Sequence, residues 1–287
     1  MSIFDEPKID CHTHVIDPAR FPYCKDIEYK PSGPEVGTAA QLRHVMKTYG
    51  VRHSLLVQPN SGYGSDNSCM VDAIAHGEGC FKGIAIVDFD ADLATLRRFK
   101  SQGVIGAAFN PTFHGNDYYK PAAGLITRLA ELDMFLNLQV EHDQLLMFVP
   151  WIETIPVRVL IDHCGRPTPE AGLTQPAFAA LLRLAATGRV SVKLSGYAKF
   201  SQAGYPFEDT WPFVRALVDA FTLDNCLWAS DWPYLRAPER QDYGPLPHSP
   251  KLCFPVPPTA ASCYGTHRHV CSASAANCRY SHNIFLR

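Results

Sequence analysis

Apolar residues gather in short runs along this chain, and the runs alternate with stretches of a different period. Eight runs rich in β-branched and aromatic residues recur: "KIDCHTH" (8–14), "HSLLVQP" (53–59), "FKGIAIVD" (81–88), "GVIGAAFN" (103–110), "MFLNLQVE" (134–141), "VRVLIDH" (157–163), "VSVKLSG" (190–196) and "CLWASDWP" (226–233). Between them apolar positions return every three or four residues, as in "TAAQLRHVMKTYG", "LITRLAELD", "PAFAALLRLAATGR" and "TWPFVRALVDAF". That spacing is the stripe of an amphipathic helix. The first helix is predicted to begin after Thr38 and to stop at Gly50, a capping residue and a residue suited to a helix end. Strands alternating with helices pair in parallel through right-handed crossovers. Eight such units predict an α/β fold of the closed (β/α)8, or TIM barrel, type. An open doubly wound sheet is the competing architecture, but no glycine-rich phosphate loop follows the first run.

A barrel says where to look for chemistry, because active sites in this fold sit at the C-terminal ends of the strands. The polar residues of the runs gather there: His12 and His14 on the first, Gln139 and Glu141 on the fifth, His163 on the sixth, Lys193 and Ser195 on the seventh, and Asp231 on the eighth. Side chains two apart on a strand share a face, so Asp10, His12 and His14 are predicted to point the same way. Two histidines on an edge strand can simply face water, a lone histidine at a strand end is commonly structural, and an aspartate before a turn is commonly a helix cap. Their coincidence at one end of one barrel, with strands 1 and 8 adjacent on closure, favours a functional cluster of His12, His14, His163 and Asp231.

Composition narrows the class. With 287 residues, 46% of them hydrophobic, the chain can bury one large core. A net charge of −2 argues against a nucleic-acid surface. No apolar stretch is long enough to span a bilayer, and "MSIFDEPKID" lacks the basic and apolar regions of a signal peptide. A cytoplasmic protein with a small-molecule substrate, and with its ten cysteines reduced, is the expectation.

In order along the chain, "IDCHTH", "IDHCGRP", "VKLSG" and "WASDWP" resemble the amidohydrolase superfamily, and most of all its 2-pyrone-4,6-dicarboxylate hydrolases and the related sugar-lactone hydrolases and isomerases. The resemblance runs from about Lys8 to Leu246. It implies a TIM-barrel hydrolase that opens a cyclic ester with water. It assigns His12, His14, His163 and Asp231 to the catalytic centre and Arg166 to an acidic substrate. "SGYGSDN" (61–67) resembles a loop lining the substrate pocket, which makes Ser61, Tyr63 and Asn67 candidates for substrate binding, with Lys193 and Tyr197 around "VKLSG". Asp231 would take a proton from water and return it to the leaving oxygen, while the histidines polarise the carbonyl. No metal is the favoured expectation. One zinc on His12, His14, His163 and Asp231 is the alternative, as in a metal-dependent amidohydrolase or decarboxylase on the same barrel. An inactive relic is the third possibility. Relatives commonly carry two arginines on strand 4 where this chain has Ile105 and Ala108, and a histidine where it has Tyr234. These departures put a second carboxylate clamp in question.

After Leu246 the composition changes. Residues 247–287 contain no Asp or Glu, yet they hold four of the ten cysteines and four of the twelve histidines. The barrel is therefore assigned to residues 1–246, and a shift of the coding frame near Leu246 is the favoured account of the remainder. A natural disordered tail is one alternative. A zinc-binding appendage using Cys263, His267, His269, Cys271, Cys278 and His282 is the other.

Overall fold

A computed structural model describes residues 7–248. Eight parallel strands run in the order of the chain: β1 (Lys8–Thr13), β2 (Val51–Val57), β3 (Phe81–Ala85), β4 (Val104–Phe109), β5 (Phe135–Leu138), β6 (Arg158–Ile161), β7 (Val190–Leu194) and β8 (Cys226–Trp228). The helices on the crossovers are α1 (Ala39–Thr48), α2 (Ser68–Ala75), α3 (Leu93–Ser101), a short α4 (Pro111–His114), α5 (Ala123–Glu131), α6 (Val149–Thr154), α7 (Pro176–Leu184) and α8 (Trp211–Phe221). This is the expected (β/α)8 barrel. Thr38 caps α1 in a reciprocal box: its hydroxyl accepts from the Gln41 N–H at 3.2 Å, and the Gln41 carbonyl oxygen accepts from the Thr38 N–H at 2.8 Å. Gly50, at φ +69°, ends the same segment.

Parallel strands are buried on both faces, which explains the near-continuous apolar runs. Their inner faces supply Ile9, Cys11, Leu55, Ile84, Phe135 and Leu160 to a core inside the barrel. Their outer faces join the helices in a larger core that includes Leu42, Leu96, Leu129, Leu181 and Leu217. Gly106 is needed at the tightest point of the inner core. A Cβ there would lie 2.5 Å from the Phe135 carbonyl oxygen and 2.8 Å from Ile84.

The seam between β8 and β1 positions the chemistry. β8 ends at Trp228, but the following residues continue alongside β1. The Asp231 N–H donates to the His12 carbonyl at 2.9 Å, and the His14 N–H donates to the Trp232 carbonyl at 2.8 Å. "WASDWP" thus closes the barrel and sets Asp231 beside both histidines. Among the described residues no α-helix follows β8. Tyr243 covers part of the seam instead, stacking on Tyr49 at 5.1 Å and donating its hydroxyl to Asp10 at 2.8 Å. The segment assigned to a shifted frame lies, beyond His248, outside the described residues. No helix of the described residues is long and apolar enough to cross a membrane.

Candidate active site

β1 carries its two histidines inward by means of an irregularity. Asp10 pairs with Ser54 and Thr13 with Leu56, so three steps on β1 match two on β2. Such a bulge switches which residues face the interior. Ile9 and Cys11 face the inner core before it; after it His14 lines the barrel mouth, with the His12 ring 4.9 Å from its own. Asp10 therefore does not share their face, contrary to the two-residue period. Its carboxylate accepts from the Ser230 N–H at 2.9 Å and from Tyr243. Burial pushes this carboxyl up to about 6 against those hydrogen bonds.

Three imidazoles converge on one carboxylate oxygen. Asp231 Oδ1 lies 3.4 Å from His14 Nε2, 3.7 Å from His12 Nε2 and 3.7 Å from His163 Nε2. All four side chains are buried. The His14 Nδ1–H donates to the Val57 carbonyl at 2.7 Å, which leaves its Nε2 lone pair facing the cluster when the ring is neutral. His163 is turned by Ser195, whose hydroxyl is 3.0 Å from its Nδ1. Gly196, at φ +65°, lies so close that a Cβ there would be 2.7 Å from the His163 ring. His163, Arg166 and Asp231 themselves adopt positive φ of 50°, 43° and 66°. Strain of this kind costs about 1–3 kcal/mol per residue and gathers at functional loops.

Beneath the histidines lies a buried charged layer. Asp162 Oδ1 is 3.2 Å from His12 Nδ1 and 2.9 Å from Lys193 Nζ, while Asp162 Oδ2 accepts from Asn137 at 2.7 Å. Lys193 also donates to Asn137 Oδ1 at 2.6 Å. Every heteroatom of the pair is engaged, as burying two charges demands. Burial works to raise the Asp162 carboxyl, but Lys193 and His12 hold it far below the carboxylate range. Burial pushes His12 down to about 4 and His163 well below the ordinary imidazole value, despite the neighbouring carboxylates. Both rings are therefore neutral near pH 7.

A second cation faces Asp231 from outside. Lys199 Nζ is 2.7 Å from Asp231 Oδ2. Burial works to raise the Asp231 carboxyl, but Lys199 and His163 outweigh it and hold the group well below its usual range. Arg166 Nη2 lies 3.0 Å from Glu141 Oε2 at the same mouth. Burial lowers the Arg166 guanidinium against the pull of Glu141. Glu141, Arg166 and Lys199 border an open cavity of about 390 Å³ whose lining also includes His14, Asn137 and Asp162.

The other residues singled out in the sequence divide. Ser61 and Gln139 line this cavity. Tyr63 is buried, with its hydroxyl accepting from the Asp17 N–H at 2.9 Å. Asn67 ties the strand-2 loop to Ile86, donating to its carbonyl at 2.8 Å and accepting from its N–H at 3.0 Å. Tyr197 borders a small cavity of about 30 Å³ behind Asp231. Lys193 lies under His12 and does not border the main cavity. Asp162, Asn137 and Lys199 were not singled out. Asp162 directly precedes His163 in "IDHCGRP", and Asn137 interrupts an apolar strand two residues before Gln139. Those were the available signals for both.

The donor set also bears on metal. His12, His14 and Asp231 form one buried group able to hold a cation, and His12, Asp162 and His163 form another, with ligand atoms within 4.8 Å of one another in each. His163 Nε2 and Asp231 Oδ1 are buried without a hydrogen-bond partner. Neutral imidazoles and an unsatisfied carboxylate oxygen fit one divalent ion.

The chain is 33% identical over 232 residues to a 4-sulfomuconolactone hydrolase from Rhizobium radiobacter, covering 78% of this chain and 75% of that protein. It is 29% identical over 252 residues to a 2-pyrone-4,6-dicarboxylate hydrolase from Comamonas testosteroni, covering 83% and 79%. In fold it is similar to an amidohydrolase from Burkholderia multivorans with bound zinc, with a TM-score of 0.61, 21% identity, and coverage of 79% of this chain and 85% of that one. The family model described as amidohydrolase matches residues 9–260, running past the compositional boundary at Leu246. With the histidine pair on β1, the histidine after β6 and the aspartate after β8 inside that match, the chain belongs to the amidohydrolase family.

Proposed function

We propose that this protein hydrolyses the ester bond of a lactone that carries an acidic group. The observation carrying the reading is the meeting of three imidazole Nε2 atoms at Asp231 Oδ1, within 3.7 Å, next to a cavity edged by Arg166 and Lys199. The lactone-hydrolase names of the curated relatives support it. Asp231 takes a proton from water as the water oxygen attacks the lactone carbonyl. The tetrahedral oxyanion is stabilised by the His163 Nε2–H, which has no partner of its own once the Ser195 hydroxyl donates to Nδ1. The ring C–O bond then breaks, and the departing oxygen takes the proton from Asp231 to give a hydroxy acid. Lys193 and Asp162 orient His12 from below. Lys199 keeps Asp231 ionised and, with Arg166, draws the acidic group to the mouth.

Within this proposal the reaction runs without a metal, because Lys199 already balances the Asp231 charge at 2.7 Å and a divalent ion would sit close to its ammonium. A second reading rests on the two unpartnered atoms, His163 Nε2 and Asp231 Oδ1. In that reading His12, His14, His163 and Asp231 would hold one zinc-like ion, supplying Lewis-acid polarisation of the carbonyl. Turnover of a lactone panel before and after exhaustive chelation, with metal content measured on the same sample, separates the two. Activity that falls with the metal and returns with zinc selects the second. Asp231→Asn is expected to lower kcat by about 10²–10⁴ without unfolding the protein. Near-normal turnover in that variant would remove Asp231 as the base.

A further inference from the structure

The walls of the main cavity differ in charge, and the difference identifies the substrate more closely. This inference rests on the lactonase reading and refines it. The half built by the loops after β6, β7 and β8 carries three cations: Arg166, Lys199 and Arg236. Two are already matched, Arg166 by Glu141 at 3.0 Å and Lys199 by Asp231 at 2.7 Å. Asp162, also in the lining, is matched by Lys193. The Arg236 guanidinium lies 5.0 Å over the Tyr29 ring; Glu35 accepts from the Arg236 backbone N–H at 2.6 Å and from the Tyr29 hydroxyl, but among the described residues no carboxylate forms a salt bridge with the guanidinium itself. Arg236 is thus, among the described residues, the cation lining the cavity whose head group is in no salt bridge.

The opposite half, built by the loops after β2, β4 and β5, carries one formal charge, Glu141, which is matched across the cavity by Arg166 at 3.0 Å. Asn60, Asn110, Thr112 and Gln139 form a hydrogen-bonded relay there. Asn110 Nδ2 donates to Asn60 Oδ1 at 3.0 Å, the Thr112 hydroxyl donates to Asn110 Oδ1, and Gln139 Nε2 donates to the Thr112 oxygen at 3.0 Å. Asn60 Nδ2 is 3.0 Å from His114 Nε2, and burial lowers the His114 imidazole, so this ring adds no charge near pH 7. Ala108 of β4 lines the same wall with a methyl group. Each amide offers both donors and an acceptor, and the hydroxyls of Thr112 and Ser61 offer both as well. A substrate hydroxyl, also donor and acceptor, can match every such atom. A carboxylate or sulfonate only accepts. It would meet the amide oxygens as like charges and find no cation to offset its desolvation.

We infer that the substrate is a polyhydroxylated lactone bearing a single carboxylate, with the hydroxyls on the amide wall and the carboxylate on the Arg236 side. A lactone with an anionic group at each end is disfavoured.

The test compares kcat/KM for three lactones: hydroxylated with one carboxylate, hydroxylated and neutral, and unhydroxylated with two anionic groups. Calorimetry of the corresponding ring-opened acids provides binding without turnover. The singly charged hydroxylated compound is expected to lead the dianion by about 10²-fold or more in kcat/KM and to bind more tightly as the acid. Ala108→Arg adds a cation to the amide wall and should narrow or reverse that preference. Thr112→Val, a nearly isosteric change that removes a relay hydroxyl, should lower kcat/KM about tenfold or more further for hydroxylated lactones than for the unhydroxylated one. A dianionic lactone preferred by the unmodified protein overturns this inference and leaves the lactonase reading intact. Failure to open any lactone, with the hydroxylated monoacid still bound in preference, overturns the lactonase reading and supports the charge assignment. Loss of both preferences overturns both.

Discussion

At the scale of single residues, Asp231 is set by competing forces. Burial alone would protonate it, and a protonated acid cannot accept a proton from water. Lys199, at 2.7 Å, is the largest of the influences that keep it ionised. The sign of the consequence is fixed. A base must be ionised to act, so raising its pKa moves the acid limb of kcat/KM to higher pH. Lys199→Met is expected to move that limb upward by about 1–3 pH units, the usual effect of removing an opposite charge within 4–6 Å. An unmoved limb would show that Asp231 does not titrate as the base. Lys199 was not legible in the sequence because nothing local marks it. It lies in a loop, and its partner is 32 residues away in the chain. Lys193 was legible as a polar residue in an apolar strand, yet its burial against Asp162 and Asn137 depends on three strands coming together.

At the scale of elements, periodicity identified all eight strands, because a strand buried on both faces must be apolar nearly throughout. The same rule failed at the face of Asp10. A bulge is a single extra residue, and its place is set by how β1 meets β2 and the residues after β8, which no local pattern encodes. Asp10 consequently belongs to the seam and carries a pH signature. Its folded pKa of about 6 lies above the ordinary 3.8. Its contribution to stability is full below about pH 4 and is lost as pH rises through 6. The stability of the wild type relative to Asp10→Asn should therefore fall by up to about 3 kcal/mol between pH 4 and 7. A difference that stays constant with pH would show that Asp10 is not shifted. The loop after β7 makes a second case. Gly196 combines a positive φ with contact on the His163 ring, so Gly196→Ala should displace that imidazole. Expected is a loss of about tenfold or more in kcat with a smaller change in KM, read by steady-state kinetics on a folded variant. Unchanged kcat would detach the position of His163 from catalysis.

At the scale of the whole molecule, closure is the step that creates the site, since the β8–β1 seam sets Asp231 against His12 and His14. A (β/α)8 barrel ordinarily covers that seam with a helix packed between its first and last neighbours. Here Val45 of α1, Tyr49 just after it and Val218 of α8 are half-buried, and Tyr243 and Leu246 pack against the same core. The compositional break at Leu246 falls where the covering helix would be encoded. We propose that the coding frame shifts near this residue. One of the two other frames of the DNA beyond codon 246 should then encode acidic residues and an apolar period of 3.6. Restoring that product would remove further apolar surface from water, at about 1.5–3 kcal/mol for each large side chain fully covered. In a domain of this size each kcal/mol raises Tm by about 2–4 °C, so the restored chain should melt about 5 °C or more above the present one. Equal melting temperatures, or no helical period in either frame, would refute the shift and leave residues 247–287 as the chain's own sequence.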